Sequence, residues 1–249
     1  MGMPRSHPTS DQRLAARIDG VRRVVMRQRW SELLFLHWRW EASELQKRLP
    51  AGLHVDTFAG DAWLGVVPFF MDRIRPRFLP AVPWVSWFRE LNVRTYVHDD
   101  NGTPGVWFFS LDCDQPLAVR LARSLFQLPY FDARMQAQRH EGRVAFECRR
   151  KSASETSRFQ YALGNELPKP QPDSLEFWLV ERYLLFANTK AGLKLGRVNH
   201  EPYPLSEVDL SQWDALPLLW DGFPLPNRTP DHVAGSRGVE VRIGPLERL

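Results

Sequence analysis

Residues 89–97 read RELNVRTYV, and the alternation of polar and apolar types is unbroken. On an extended strand Glu90, Asn92, Arg94 and Tyr96 share one face, while Leu91, Val93, Thr95 and Val97 share the other. The polar face sets a carboxylate, an amide, a guanidinium and a phenol in one row. Four residues of strand span about 13 Å, so Glu90 and Arg94 cannot close a tight ion pair along a straight strand; Asn92 lies between them, about 6.6 Å from each. Such a row can hold a small polar ligand, with arginine gripping a carboxylate through two parallel hydrogen bonds and glutamate moving a proton. The same pattern fits an exposed edge strand of mixed polar residues, and alternation alone leaves the two readings open.

The segments that must position this row are mostly short and strand-like. ELLFLHWRW alternates with Leu34, Leu36, Trp38 and Trp40 on one side, and EASELQKRLPAG reads as a short helix stopped by Pro50 and Gly52. LHVDTFAGDAWLGVVPFF reads as two strands turning at Gly60–Asp61, followed by a proline-rich loop, RPRFLPAVPW, and then by the polar row itself. After the strand VWFFSLDC comes the clearest helix, DQPLAVRLARSLFQLP. Asp114 suits its cap, Pro116 its first turn, and Leu117, Leu121 and Leu125 form an i, i+4 stripe. Pro129 ends it and pins Tyr130 just past the terminus. Further strands are expected at 131–138, 143–151 and 157–164 and at RYLLFANT, LKLGRVN and GVEVRI, with one more short helix near SLEFWLVE. Many short strands, few helices and no βαβ rhythm predict an α+β chain that is mostly antiparallel β, a barrel or sandwich. Residues 1–27 are polar, basic and unpatterned and read as a tail; residues 28–249 read as one domain.

Several function classes are disfavoured. A net charge of +4 spread over scattered arginines offers no basic stripe, so nucleic acid is not an expected partner. Two cysteines make no disulfide framework, and no His, Cys or carboxylate spacing suggests a metal site. The start of the chain has no apolar signal region, and WLGVVPFFM is too short to span a bilayer, so no membrane partner is expected and the cytoplasm is the default location. Glycine fingerprints for nucleotides, a nucleophile elbow and a zinc-protease motif are all missing, and no cofactor is expected. The seven histidines are dispersed; His200, in VNHEPYPL, sits in what reads as an ordered loop, where a structural role is expected.

The segments RWSELLFLHW, LPAGLHVDTFAGDAWLGVVPF, FRELNVRTYV, GVWFFSLD, ARSLFQLPYFDARM, ERYLLF and HEPYPL resemble the bacterial family called DUF2071, or YqjF-like. That family in turn resembles the acetoacetate decarboxylase superfamily, which implies antiparallel sheets closing around a conical cavity. The decarboxylases carry a tyrosine-x-glutamate on a cavity strand; the matching stretch here is FRE, so Glu90 falls on their glutamate and Phe88 replaces the tyrosine. They also carry an arginine-containing helix ending in aromatic-proline-lysine-lysine. Against it, ARSLFQLPYF places Arg123 on the arginine, Pro129 on the proline, Tyr130 on the imine-forming lysine and Phe131 on the second lysine.

The resemblance thus implies that the polar row lines a pocket. Glu90 and Tyr130 are the candidate catalytic pair, and Asn92, Arg94 and Tyr96 the candidate ligand-binding residues. Arg123, Arg134 and His200 are expected to be structural or to support the site from behind. The expected partner is a small carboxylate or carbonyl compound, bound without imine chemistry, with self-association left open. The alternative is a lyase, hydratase or isomerase in which Glu90 is the acid or base and Tyr130 donates to a carbonyl.

A phenol has no amine to condense with a ketone, and Phe131 cannot supply the neighbouring cation that lowers a lysine's pKa. Incubation with acetoacetate and borohydride is therefore expected to leave the intact mass unchanged; a stable adduct on any lysine would show that imine chemistry survives.

Overall fold

The computed structural model describes residues 7–249, the side chain of Leu125 excepted. Twelve strands pair into one sheet among the described residues: β1 (Met26–Trp40), β2 (Leu53–Val55), β3 (Ala62–Pro76), β4 (Phe88–Asp99), β5 (Pro104–Cys113), β6 (Tyr130–His140), β7 (Arg143–Arg150), β8 (Ser157–Glu166), β9 (Leu184–Thr189), β10 (Gly192–His200), β11 (Leu205–Gln212) and β12 (His232–Arg248). Five short helices accompany them: α1 (Ser10–Ile18), α2 (Ala42–Gln46), α3 (Pro116–Leu125), α4 (Leu175–Val180) and α5 (Leu216–Trp220). The pairing is mainly antiparallel, in the order β10-β9-β5-β6-β7-β8-β11-β12-β1-β3-β4-β2. No helix among the described residues is long and apolar enough to cross a membrane.

Two additional pairings, β4 with β5 and β10 with β12, close the sheet on itself. One ring runs β4-β5-β9-β10-β12-β1-β3, and a longer one runs β4-β5-β6-β7-β8-β11-β12-β1-β3. Strands β1, β3, β4, β5 and β12 belong to both. A strand shared by two rings is buried on both faces, which is why WLGVVPFFM reads as a continuous apolar run rather than an alternation. The alternation persists in where the side chains go. Leu34, Leu36, Val66, Leu91 and Val93 pack with Phe146 and Phe159 of the longer ring. Leu33, Phe35, Val67 and Phe69 pack with Trp178, Val198 and Val241 in the shorter one.

Three readings are corrected. The basic segment at the start is not all tail: residues 10–18 form α1, capped by a reciprocal Thr9–Gln12 pair. Its Arg13 is 5% exposed and bonds Asp56 through two nitrogens, at 2.7 and 2.9 Å. That partner lies forty-three residues away and leaves no local signal; residues 1–6 lie outside the described residues. Second, Gln115 rather than Asp114 caps α3, because Asp114 is held by the backbone N–H and guanidinium of Arg89. Two leucines of the expected α3 stripe do not bury: Leu117 and Leu121 are exposed, while Val119 is buried. Third, one βαβ unit exists after all, since α3 links β5 to β6, which pair in parallel over three residues. That unit delivers Tyr130 to the site.

Candidate ligand-binding site

Strand β4 has β3 on one side and β5 on the other. Glu90 is flanked by Phe69 and Cys113, Asn92 by Val67 and Leu111, and Arg94 by Gly65 and Phe108. The polar row is therefore a single stripe in an apolar wall. It faces a cavity of about 610 Å³ inside the shorter ring, walled by Trp30, Phe69, Met71, Phe108, Val198 and Ile243. Glu90, Asn92 and Arg94 all line it and are 2%, 5% and 8% exposed.

Tyr130 reaches the same space from the next strand but one. Its backbone is in register with Leu111, which is itself opposite Asn92, and its hydroxyl donates to Glu90 Oε2 at 3.0 Å. Burial pushes the Glu90 carboxyl up to about 8; the bond from Tyr130 pulls it down, and the charge of Asp112 adds to the rise. Glu90 is therefore mostly protonated at neutral pH and can donate a hydrogen bond as well as accept one. Burial likewise pushes the Tyr130 phenol far above its ordinary value, with the nearby Glu90 carboxyl adding to the shift, so it stays a donor.

Arg94 lies deeper. Its guanidinium stands over the rings of Phe35 and Tyr96, and its contacts with the Tyr96 hydroxyl and the Leu179 carbonyl are long, 3.5 and 3.4 Å. No carboxylate lies within ion-pair distance of it among the described residues. Arg94 Nε and Asn92 Oδ1 are buried without a protein hydrogen-bond partner. Gly65, opposite Arg94, leaves room for His37: a Cβ there would come 2.9 Å from the His37 ring, but only into ordinary contact with Arg94 Cγ at 3.6 Å.

Tyr96 continues the row but does not line the cavity. Its hydroxyl bonds His37 Nε2 at 2.7 Å and its ring packs on Trp178 at 4.8 Å, so it backs Arg94 instead of facing the cavity. Arg123 donates from Nε to the Tyr130 carbonyl at 2.7 Å, tying the end of α3 to the start of β6. Arg134 points to solvent on β6, away from the cavity. His200 is buried behind the wall, stacked on Tyr183 at 4.7 Å and against the cavity-lining Tyr203 at 4.6 Å; burial pushes its imidazole down to about 4. Phe131 turns the other way, under the guanidinium of Arg150. None of Lys47, Lys151, Lys169, Lys190 and Lys194 lines the cavity.

Two residues that shape the cavity escaped the sequence reading. Arg182 lines the cavity beside Arg94 and is held by Asp56 at 3.1 Å, with its Nη2 buried and unpartnered. Burial and Arg13 lower its pKa while Asp56 supports its charge, so it remains a cation at neutral pH. Glu181 accepts from the Tyr183 hydroxyl and, at 3.0 Å, from the Tyr203 backbone, fixing the loop that presents Tyr203. The only trace of either in the sequence is a charged pair, Glu181–Arg182, just after an apolar helix.

The DUF2071 family model, described as an uncharacterized conserved protein, matches residues 27–240. The uncharacterized protein YqjF of Bacillus subtilis (strain 168) is 38% identical over 194 residues, which is 77% of this chain and 78% of that one. Among solved structures, acetoacetate decarboxylase from Legionella pneumophila superposes with a TM-score of 0.65 at 10% identity, covering 90% of this chain and 87% of the other. An acetoacetate decarboxylase-like enzyme from Sphingomonas wittichii RW1 gives 0.59 at 16% identity, over 91% and 94%. The enduracididine biosynthesis enzyme MppR with HEPES buffer bound gives 0.62 at 13%, over 91% and 88%. At these identities the likeness is one of fold.

An acid whose folded pKa lies above its unfolded value binds more protons when folded, so stability falls as pH rises between the two, here from the ordinary 4.5 to about 8. Glu90→Gln removes that loss. Relative to wild type it is expected to be near neutral at pH 5 and stabilising at pH 9 by on the order of 2–4 kcal/mol in urea unfolding. An equal effect at both values would place Glu90 in a solvated setting.

Proposed function

The chain belongs to the DUF2071 family, and from that footing we propose that it binds a small-molecule carboxylate or carbonyl compound in the cavity on β4, without forming an imine. The observation that carries this reading is Arg94: a buried guanidinium with no carboxylate partner among the described residues, next to the unpartnered amide oxygen of Asn92, in the wall of the cavity. Burying a cation and leaving it unpaired is costly, and a ligand carboxylate would offset that cost. Arg94 and Arg182 supply the positive end, Asn92 can orient the ligand, and the protonated Glu90 with Tyr130 offers donors to a carbonyl oxygen.

The Glu90–Tyr130 pair also favours a second reading. A carboxyl poised near 8 in a buried site is suited to proton transfer beside a carbonyl, with Tyr130 polarising the oxygen, as in a lyase, hydratase or isomerase. Turnover lost in Glu90→Gln while binding persists would select this reading over binding alone.

Calorimetry with a panel of monocarboxylates and 2-oxo acids tests the proposal. Members that bind wild type are expected to lose roughly 10- to 100-fold in affinity in Arg94→Gln, the size of a lost charge-assisted hydrogen bond, and to be unaffected by Arg134→Gln. No binding by any member, or equal losses in both variants, would overturn it.

A further inference from the structure

Depth in the cavity can be read along β4. Beyond its first residue, Leu79 and Val82 of the preceding loop and Leu121 of α3 line the cavity yet are 59%, 52% and 58% exposed. These three residues form the mouth. At the other end of the row, Arg94 contacts the Leu179 carbonyl of α4, and Tyr96 packs on Trp178, so this end is closed. Between them lie Asn92 and the Glu90–Tyr130 pair.

Charge is distributed along this axis in one sense. Arg94 and Arg182 are the only cations lining the cavity among the described residues, and both sit at the closed end, where Arg182 donates to the Trp178 carbonyl at 2.8 Å. Towards the mouth the described lining is apolar except for Gln28 and Ser86. We infer that the cavity takes an amphipathic monocarboxylate: the head sits on Arg94 at the closed end, and an unbranched apolar tail of medium length runs past Glu90 to the mouth. This inference rests on the reading that the cavity binds carboxylates and names their class.

Size supports it. With a water occupying about 30 Å³, the 610 Å³ cavity holds the equivalent of roughly twenty waters. A keto acid of six heavy atoms fills the smaller part and leaves Trp30, Phe69, Met71 and Ile243 facing water. An apolar tail covers them and removes that surface from solvent. From Arg94 to Phe88 the strand runs about 20 Å. With the arginine side chain taking up part of that length and carbon–carbon bonds near 1.5 Å, a tail of roughly eight to twelve carbons spans the rest. Glu90 stands where the tail must pass, and in its neutral form it puts no buried charge against it. A second carboxylate at the far end of the ligand would meet no cation, which disfavours dicarboxylates.

The test is a calorimetric series of acetate, hexanoate, octanoate and decanoate, with 1-decanol as the uncharged control, at pH 6.5. Affinity is expected to rise roughly fourfold per methylene up to decanoate, and decanol to bind at least tenfold more weakly than decanoate. Leu121→Glu, an exposed position at the mouth, is expected to weaken decanoate about tenfold and leave hexanoate unchanged. Carboxylates binding with no dependence on chain length would overturn this inference and leave the carboxylate reading standing. Decanol matching decanoate would overturn the placement of the head on Arg94. Binding by no carboxylate of any length would overturn both.

Discussion

The site depends on β4 being buried on both faces. The strand belongs to two closed rings at once, so neither of its rows can turn to water. Leu91 and Val93 go into the core of the longer ring, and the polar residues are left in the shorter one. The period-2 pleat makes this all-or-nothing: a slip of one residue would put Leu91 and Val93 in the cavity and Glu90 and Arg94 in the other core. Pairing on both sides, with Phe69 and Cys113 across from Glu90, fixes the register. The chemistry follows from that enclosure. Desolvation, ahead of the effect of any neighbouring charge, raises the Glu90 carboxyl, and it leaves Arg94 to be stabilised by two aromatic faces instead of a carboxylate.

Asp56 extends the same logic outward. It is fully buried and would be raised by burial alone, yet His7, Arg182 and Arg13 together hold it well below the usual carboxylate range. It thereby joins the docked helix α1 to a cavity-lining cation. Removing Asp56 would leave the buried Arg13 and Arg182 without their carboxylate, which costs far more than an exposed pair is worth. The first helix is thus coupled to the closed end of the cavity through one carboxylate.

How much of this was legible in the sequence depended on whether the cause was local. The alternation at 89–97 gave the row and its two faces; α3, however, ends at Leu125 with Phe126 as its cap, short of the stop expected at Pro129, and Tyr130 is placed as the first residue of β6. The strands β5 to β8 and the short helices α2 and α4 carried their own patterns and turns. What failed was non-local. Tyr96 has the same parity as Arg94, but Leu179 of α4 arrives from 85 residues downstream of Arg94 and the helix closes the cavity between them, a placement no periodicity encodes. Arg182 and Arg13 look like solvated charges until Asp56 is brought to both. Leu117 and Leu121 of α3 obey helical spacing yet stay exposed, because the helix lies over an open mouth instead of a core. Strand β11 and most of β12 were missed: polar and apolar residues mix there, and their pairing is set by partners far away in sequence.

The solved acetoacetate decarboxylase and its relatives share this fold, while the lysines of this chain all lie off the cavity. Here one wall of the cavity carries a buried carboxyl raised to about 8, Glu90, and a buried guanidinium, Arg94. The most direct test of that arrangement is a crystal structure with 10-bromodecanoate bound. The carboxylate is expected within hydrogen-bond distance of the Arg94 guanidinium, with anomalous scattering from bromine near Leu79 and Leu121. A carboxylate at the mouth with the bromine beside Arg94, or a ligand outside the ring, would contradict it.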